Sequence, residues 1–308
     1  MKLELVIGRS KTGKSTYIYD QIGKRLKSNS SENLVLIVPE QTTYSTEFDI
    51  IERLKNDGIM NVEILSFKRL AYKIFEEVGG LKVQEINDYG KIMLLKQVFD
   101  EYMNKLQVYK KASKQEGFLK EFSNLIKELK ENNVNPKFLK KISEYSIHDE
   151  VLKRKIFDIT CIYENIENKI DGKYLDSEDK TELFIQLMEK SHYLRGSSFW
   201  IDSFDSFTGQ RYKIIERLIE ISTKVTIVLD LDYYSLKNLE SIDDWENFKI
   251  THDTYKKLKE IAENLGAELI ITPLKNRFNS NKELNFLECK MFTINSEKFN
   301  SLFELNLF

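Results

Sequence analysis

Three prolines and twelve glycines in 308 residues are too few for long disordered linkers. The two cysteines, Cys161 and Cys289, make neither a disulfide framework nor a metal-ligand cluster, and a reducing cytosol suits them. His148, His192 and His252 are scattered without metal-ligand spacing, and no Ser-His-Asp or Cys-His arrangement is legible. No stretch approaches the roughly 18 apolar residues of a membrane span. The chain opens on a strand rather than a signal peptide, so a soluble, cytoplasmic protein without membrane contact is expected. A formal net charge of −2 exerts no overall pull on nucleic acid and leaves any such contact to local charge.

With 41% hydrophobic and 31% charged residues the chain has an ordinary globular composition. Nineteen phenylalanines and fifteen tyrosines are ample core material for one large domain or two. Its most informative stretch runs from Leu3 to Tyr19. A short apolar strand (Leu3, Leu5, Val6, Ile7) leads into Gly8, Arg9, Ser10, Lys11, Thr12, Gly13, Lys14 and Ser15, then into a helical run. This is the P-loop pattern in the strand-to-helix context it needs. The glycines allow a tight turn whose backbone N–H groups converge on a phosphate chain. Lys14 reaches the terminal phosphates, the Ser15 hydroxyl is placed to ligate Mg²⁺, and the positive end of the helix adds to the anion site. ATP and Mg²⁺ are the expected ligands; the alternative is a chance match in a strand–turn–helix of other purpose.

Beyond the loop, residues 14–27 read as a helix and Leu34–Val38 as a strand buried on both faces, ending in Pro39, Glu40, Gln41, Thr42 and Thr43. A helix over 44–56, a strand over 62–65 and a helix opening at Ser66 follow, the alternation of a parallel α/β sheet. From about Asn87 to Lys190 no strand is evident, and apolar residues recur at helical steps, most clearly Leu152, Ile156, Ile159, Tyr163, Ile166 and Ile170. Asp176 and Ser177 offer a helix N-cap there. The α/β pattern returns with a strand at 198–201, a helix over 212–221, a strand at 225–229, a helix over 252–264 and a strand at 268–271. The expected division is therefore a discontinuous P-loop domain, 1–86 and 191–308, around an all-helical insertion, 87–190. The last thirty-five residues, weakly patterned, read as the cut edge of a longer protein.

Asp202, after the apolar strand, stands where a P-loop protein places the acid that holds Mg²⁺ through water, though an ordinary strand-end aspartate looks the same. The next residue, a water-activating glutamate in hydrolysing enzymes of this kind, is Ser203, which is no general base unaided. Asp205 follows three positions after Asp202 and has no assigned place. Glu40, Asp230 and Asp232 follow strands at the ligand-binding edge; the last two either back up the metal or merely terminate a strand. Segment 104–141 carries ten lysines against four glutamates, either a basic face for a phosphate backbone or a solvated helix surface.

Four blocks in order, VIGRSKTGKSTYI, LIVPEQTTYSTE, EILSFKRLAY and FWIDSFDSFTGQ, resemble the N-terminal part of the AddB (RexB) family, a subunit of the ATP-dependent helicase–nuclease that processes double-strand DNA breaks. The resemblance covers essentially the whole chain. It implies a RecA-like domain with a helical subdomain, related to superfamily 1 helicases, and a fragment of a longer protein. The nuclease domain and its iron–sulfur cluster would lie in the missing C-terminal region. It implies DNA and the AddA subunit as partners, with AddA supplying the motor and the helicase-like half associated with recognising Chi. By position, Gly8 to Ser15 match motif I. Val38 to Thr43 match motif Ia, with Thr42 and Thr43 facing DNA. Ser66, Phe67 and Arg69 match the motif Ib region, and Asp202, Phe204 and Gln210 match motif II. The departures are Ser203 in place of glutamate, a spacing to Gln210 one residue short, no Gly-Asp-x-x-Gln sensor after 225–229, and no room for an upstream glutamine motif. They imply nucleotide binding with weak or absent hydrolysis. The competing readings are an autonomous P-loop kinase, disfavoured by an insertion with Arg154 as its only arginine, and a docking domain with a vestigial loop.

Overall fold

The computed structural model describes every residue except 29–31, 55–61, 81–82, 113–114, 146–148, 233–247, 275–282, 285 and 288–308. In chain order the elements are β1 (Lys2–Gly8), α1 (Lys14–Lys27), β2 (Asn33–Ile37), α2 (Thr43–Leu54), β3 (Val62–Leu65), α3 (Phe67–Val78) and β4 (Gln84–Glu85). They continue as α4 (Asp88–Tyr102), α5 (Glu116–Glu131), α6 (Pro136–Tyr145), α7 (Glu150–Ile170), β5 (Tyr174–Leu175), α8 (Ser177–Leu187) and α9 (His192–Arg195). β6 (Ser197–Ile201), α10 (Gly209–Ile221), β7 (Lys224–Asp230), α11 (Lys249–Asn264) and β8 (Glu268–Pro273) close the order. Contacts divide the chain into a sheet unit, Met1–Ser66, Gly196–Ser206 and Ser222–Phe308, and a helical unit, Phe67–Arg195 and Phe207–Ile221.

The sheet unit has six strands in the order β3-β2-β6-β7-β1-β8, with every pairing parallel. Leu3, Leu5, Ile7, Val35, Leu36, Phe199, Trp200, Ile227 and Leu229 are all but inaccessible, which is why these strands read as continuous apolar runs. Because all strands run one way, the carboxyl ends of β1, β6 and β7 share an edge, and the register sets Gly8 opposite Asp230. One charge interrupts the core. Glu4, at the middle of β1, accepts bonds from Tyr17 and Gln21 of α1, Lys224 and Thr226 of β7, and Thr272 of β8, the shortest 2.6 Å from Lys224 Nζ. Burial alone would raise its pKa, but the bonds from Lys224, Thr272 and Gln21 outweigh it and hold the carboxyl down at about 2. Trp200 donates to Gln21, extending the network to β6. The helix that follows the loop is thereby pinned to four strands.

The helical unit centres on Leu95, Val98 and Phe99 of α4, Phe122 of α5, and Ile162, Tyr163 and Ile166 of α7, the last two on the stripe that the spacing predicts. Asp176 caps α8 as expected, accepting from Glu178 N and Asp179 N. Asp158, fully buried, holds the loop after α4 by accepting from the N–H groups of Gln107, Val108 and Tyr109. Three details differ from the sequence expectation. β5 lies inside the stretch read as strandless, paired parallel with β4; strands two residues long carry no periodicity. α3 and α10 group with the helices: Phe75 meets Phe184 of α8 edge-on at 6.5 Å, and Gln210 donates to Glu178 O. Lys130 does not belong to a solvated basic face; it is buried against Asp176, Asp179 and Glu167. His148 and Cys289 lie outside the described residues. No described helix is long and apolar enough to cross a membrane.

Candidate nucleotide site

At the carboxyl end of β1 the chain turns sharply, with Lys11 at φ 61° and Gly13 at φ 84°. Left-handed backbone suits Gly13, which has no Cβ. A Cβ at Gly8 would fall 2.4 Å from Thr12 Oγ1 and 2.7 Å from Leu274 O, so the loop closes only over a glycine there. Thr12 Oγ1 donates to Arg9 O at 2.8 Å, bracing the turn.

The loop, the end of β6 and the end of β7 enclose a cavity of about 290 Å³ lined by Ser10, Lys11, Gly13, Lys14, Ser15 and Thr16, with Asp202, Ser203, Phe204, Asp205, Val228 and Asp230. Ser15 Oγ donates to Asp202 Oδ2 at 2.9 Å, although β7 separates β1, which leads into the loop, from β6, which ends just before Asp202. Asp202 is 7% exposed; burial pushes its carboxyl up, against the bonds from Ser15 and Ser203 N and the charge of Lys14. Ser203 has φ 66°, which turns its N–H onto Asp202 Oδ1 at 2.7 Å; a side chain in that conformation costs about 1 kcal/mol. Lys14, 8% exposed, donates to Arg9 O at 2.7 Å and pairs with Asp230 at 2.5 Å. Arg9 faces Asp232 at 3.7 Å and lies over the Phe248 ring.

The sequence-selected residues Gly8 to Ser15, Asp202 and Ser203 thus come together, with Phe204 and Asp205. Asp230 and Asp232, equally readable as strand ends, face Lys14 and Arg9 of the loop. The sequence signal was there, two acids after the strand that pairs with β1, but their partners follow only from register. Gln210 bonds within the helical unit instead, and Glu40 is exposed outside the cavity lining. Among the expected DNA contacts, Thr43, Ser66 and Phe67 are buried. Thr43 Oγ1 donates to Glu40 O, and Phe67 packs edge-on against Phe207 at 6.4 Å. Thr42 is half-buried and donates to Pro39 O; Arg69 is exposed.

Hard oxygen donors from one hydroxyl and one carboxylate, beside a cavity for phosphate oxygens, are the set Mg²⁺ takes in nucleotide sites. An all-cysteine iron–sulfur cluster takes four thiolates, and this chain has two cysteines.

Residues 5–288 match the family model described as "ADDB, N-terminal". The chain belongs to that family. Its relatives include the B subunit of the ATP-dependent helicase/deoxyribonuclease from Clostridium novyi (strain NT), 38% identical over 297 residues, which are 95% of this chain and 26% of that protein. The protein of the same description from Alkaliphilus oremlandii (strain OhILAs) is 40% identical over 268 residues, 87% of this chain and 23% of the relative. That from Caldanaerobacter subterraneus subsp. tengcongensis is 36% identical over 305 residues, 97% of this chain and 26% of the relative. The ADDB-type chain thus spans about a quarter of the length of the relatives it matches.

Proposed function

We propose that this chain is the ATP–Mg²⁺-binding, helicase-like part of an ATP-dependent helicase/deoxyribonuclease subunit acting in DNA break repair and recombination with DNA and an AddA-type partner subunit. The observation that carries the reading is the 2.9 Å bond between Ser15 and Asp202, which joins the loop hydroxyl and a strand-end carboxylate beside Lys14. The RecA-like domain would be the discontinuous one, with the helical residues 87–190 inserted in it. In this reading the N–H groups of Ser10 to Ser15 would cradle the phosphates, Lys14 would meet the terminal ones, and Ser15 and Asp202 would hold Mg²⁺. Bound Mg²⁺ neutralises charge on the phosphates. Thr42 and Arg69 are the proposed DNA contacts, Thr43, Ser66 and Phe67 shaping the segments that carry them, and any reading of Chi belongs to the assembled complex.

Hydrolysis by this unit should be slow. Ser203 offers no base, and no arginine is among the described residues lining the cavity. Titrating a fluorescent ATP analogue against wild type and Lys14→Ala tests the site: binding should fall at least tenfold in the variant, and equal affinities overturn the assignment. Ser203→Glu alone should leave single-turnover hydrolysis far below the ~1 s⁻¹ of ordinary enzymes.

A further inference from the structure

The loop lysine is already occupied by the protein itself. Lys14 Nζ is held at 2.5 Å from Asp230 Oδ1 and at 2.7 Å from Arg9 O, and only 9% of its side chain meets solvent. Asp230 is placed there by the sheet, since its backbone is in register with Gly8. Its side chain is 51% exposed, so it is free to swing out while Lys14 is not.

We propose that Asp230 is a carboxylate latch on Lys14, a specificity-determining residue that makes the site answer to cation-bound rather than free polyphosphate. This rests on the nucleotide reading above. The cavity wall carries Asp202, Asp205 and Asp230 against Lys11 and Lys14, so the lining has one more acid than cations. A polyphosphate arriving without a divalent cation must break the Lys14–Asp230 pair and then lie beside two uncompensated carboxylates. A Mg²⁺-bound polyphosphate brings its own counter-charge for Asp202 and Asp230, so displacement of the latch is offset. The latch is distinct from the loop pattern, which specifies the lysine and says nothing of a partner on β7.

The test compares wild type with Asp230→Asn on the 308-residue chain, titrating ATP and pyrophosphate with Mg²⁺ and with EDTA. The amide keeps the size of the group and removes its charge. The expected result is about a tenfold gain in affinity for the EDTA-held ligands and little change with Mg²⁺, so that the dependence on Mg²⁺ shrinks. An unchanged or weakened affinity in EDTA, with Mg²⁺-linked binding intact in wild type, overturns the latch and leaves the nucleotide site standing. Amine-labelling mass spectrometry reads the pair without nucleotide: Lys14 should label several-fold faster in Asp230→Asn. Failure of both proteins to bind ATP–Mg²⁺ together with faster labelling overturns the nucleotide reading while the ion pair stands; equal labelling overturns the pair itself.

Discussion

In the sheet unit one buried carboxylate, Glu4, is met by five donors, of which only Lys224 carries charge. In the helical unit two buried lysines, Lys91 and Lys130, face four carboxylates: Asp176, Glu178, Asp179 and Glu167. Both centres tie several elements together, Glu4 joining one helix to three strands and the lysines joining α4, α5, α7 and α8. They differ in how the charge is balanced. Neutral donors satisfy Glu4 without adding a second anion, and its carboxyl sits at about 2. The helical centre holds an excess of acids, and the result is divergence. Asp176, paired with both lysines, is driven below the usual carboxylate range despite burial. Asp179 is pushed up to about 6 by burial and by the charge of Asp176.

The helical centre should therefore be the more fragile to loss of one partner. Lys130→Ala leaves Asp176, 2% exposed, with one lysine in place of two, and Asp179 and Glu167 without Lys130. Breaking a buried pair in this way costs about 3–5 kcal/mol. Hydrogen exchange resolved by peptide should show α5, α7 and α8 losing protection while β1, β6 and β7 keep theirs. A loss under about 1 kcal/mol would mean the lysine contributes no more than a surface pair.

Glu4 sharpens the comparison through pH. Its folded pKa is depressed from 4.5 to about 2, so its contribution is complete above 4.5 and is lost as pH falls toward 2. The shift corresponds to about 3 kcal/mol, an order-of-magnitude figure. Trp200 lies in the same network, so its fluorescence during urea unfolding reports this unit. Glu4→Gln should be about 2 kcal/mol less stable at pH 7, since Lys224 loses its partner, and should show a flatter decline between pH 4.5 and 2. A variant that declines as steeply as wild type places the acid sensitivity elsewhere.

The unequal legibility of these features has physical causes. The strands at 34–38 and 198–201 announce themselves because both faces are covered and the runs turn apolar. The loop is legible because its turn restricts residue types at fixed offsets, down to the glycine at position 8 that faces Thr12 and Leu274. Glu4 is not legible, since a lone acid between Leu3 and Leu5 reads as a solvent-facing residue of a strand. Its donors lie on α1, β7 and β8. Lys130 sits in a lysine-rich segment and looks solvated until α8 brings Asp176 and Asp179 to it. Asp230 is visible as a strand-end acid, but only the parallel register with β1 carries it to Lys14. Chemistry fixed by local spacing is readable; chemistry assembled across the fold is not.

The smallest expected effect belongs to Asp179, and its sign is opposite to that of Glu4. A carboxyl raised from 3.8 to about 6 in the folded state takes up its proton more readily there than in the unfolded chain. Its stabilising contribution is full below 3.8 and is lost as pH rises through 6. At pH 7 its charge works against the fold, offset by the 2.8 Å bond from Lys130. Asp179→Asn removes the unfavourable charge and weakens that bond, so the net change at pH 7 should be within about 1 kcal/mol. The diagnostic quantity is the slope: between pH 4 and 6.5 the variant's helical unit should gain stability relative to wild type as pH rises. Parallel profiles would mean that Lys130 holds Asp179 ionised throughout.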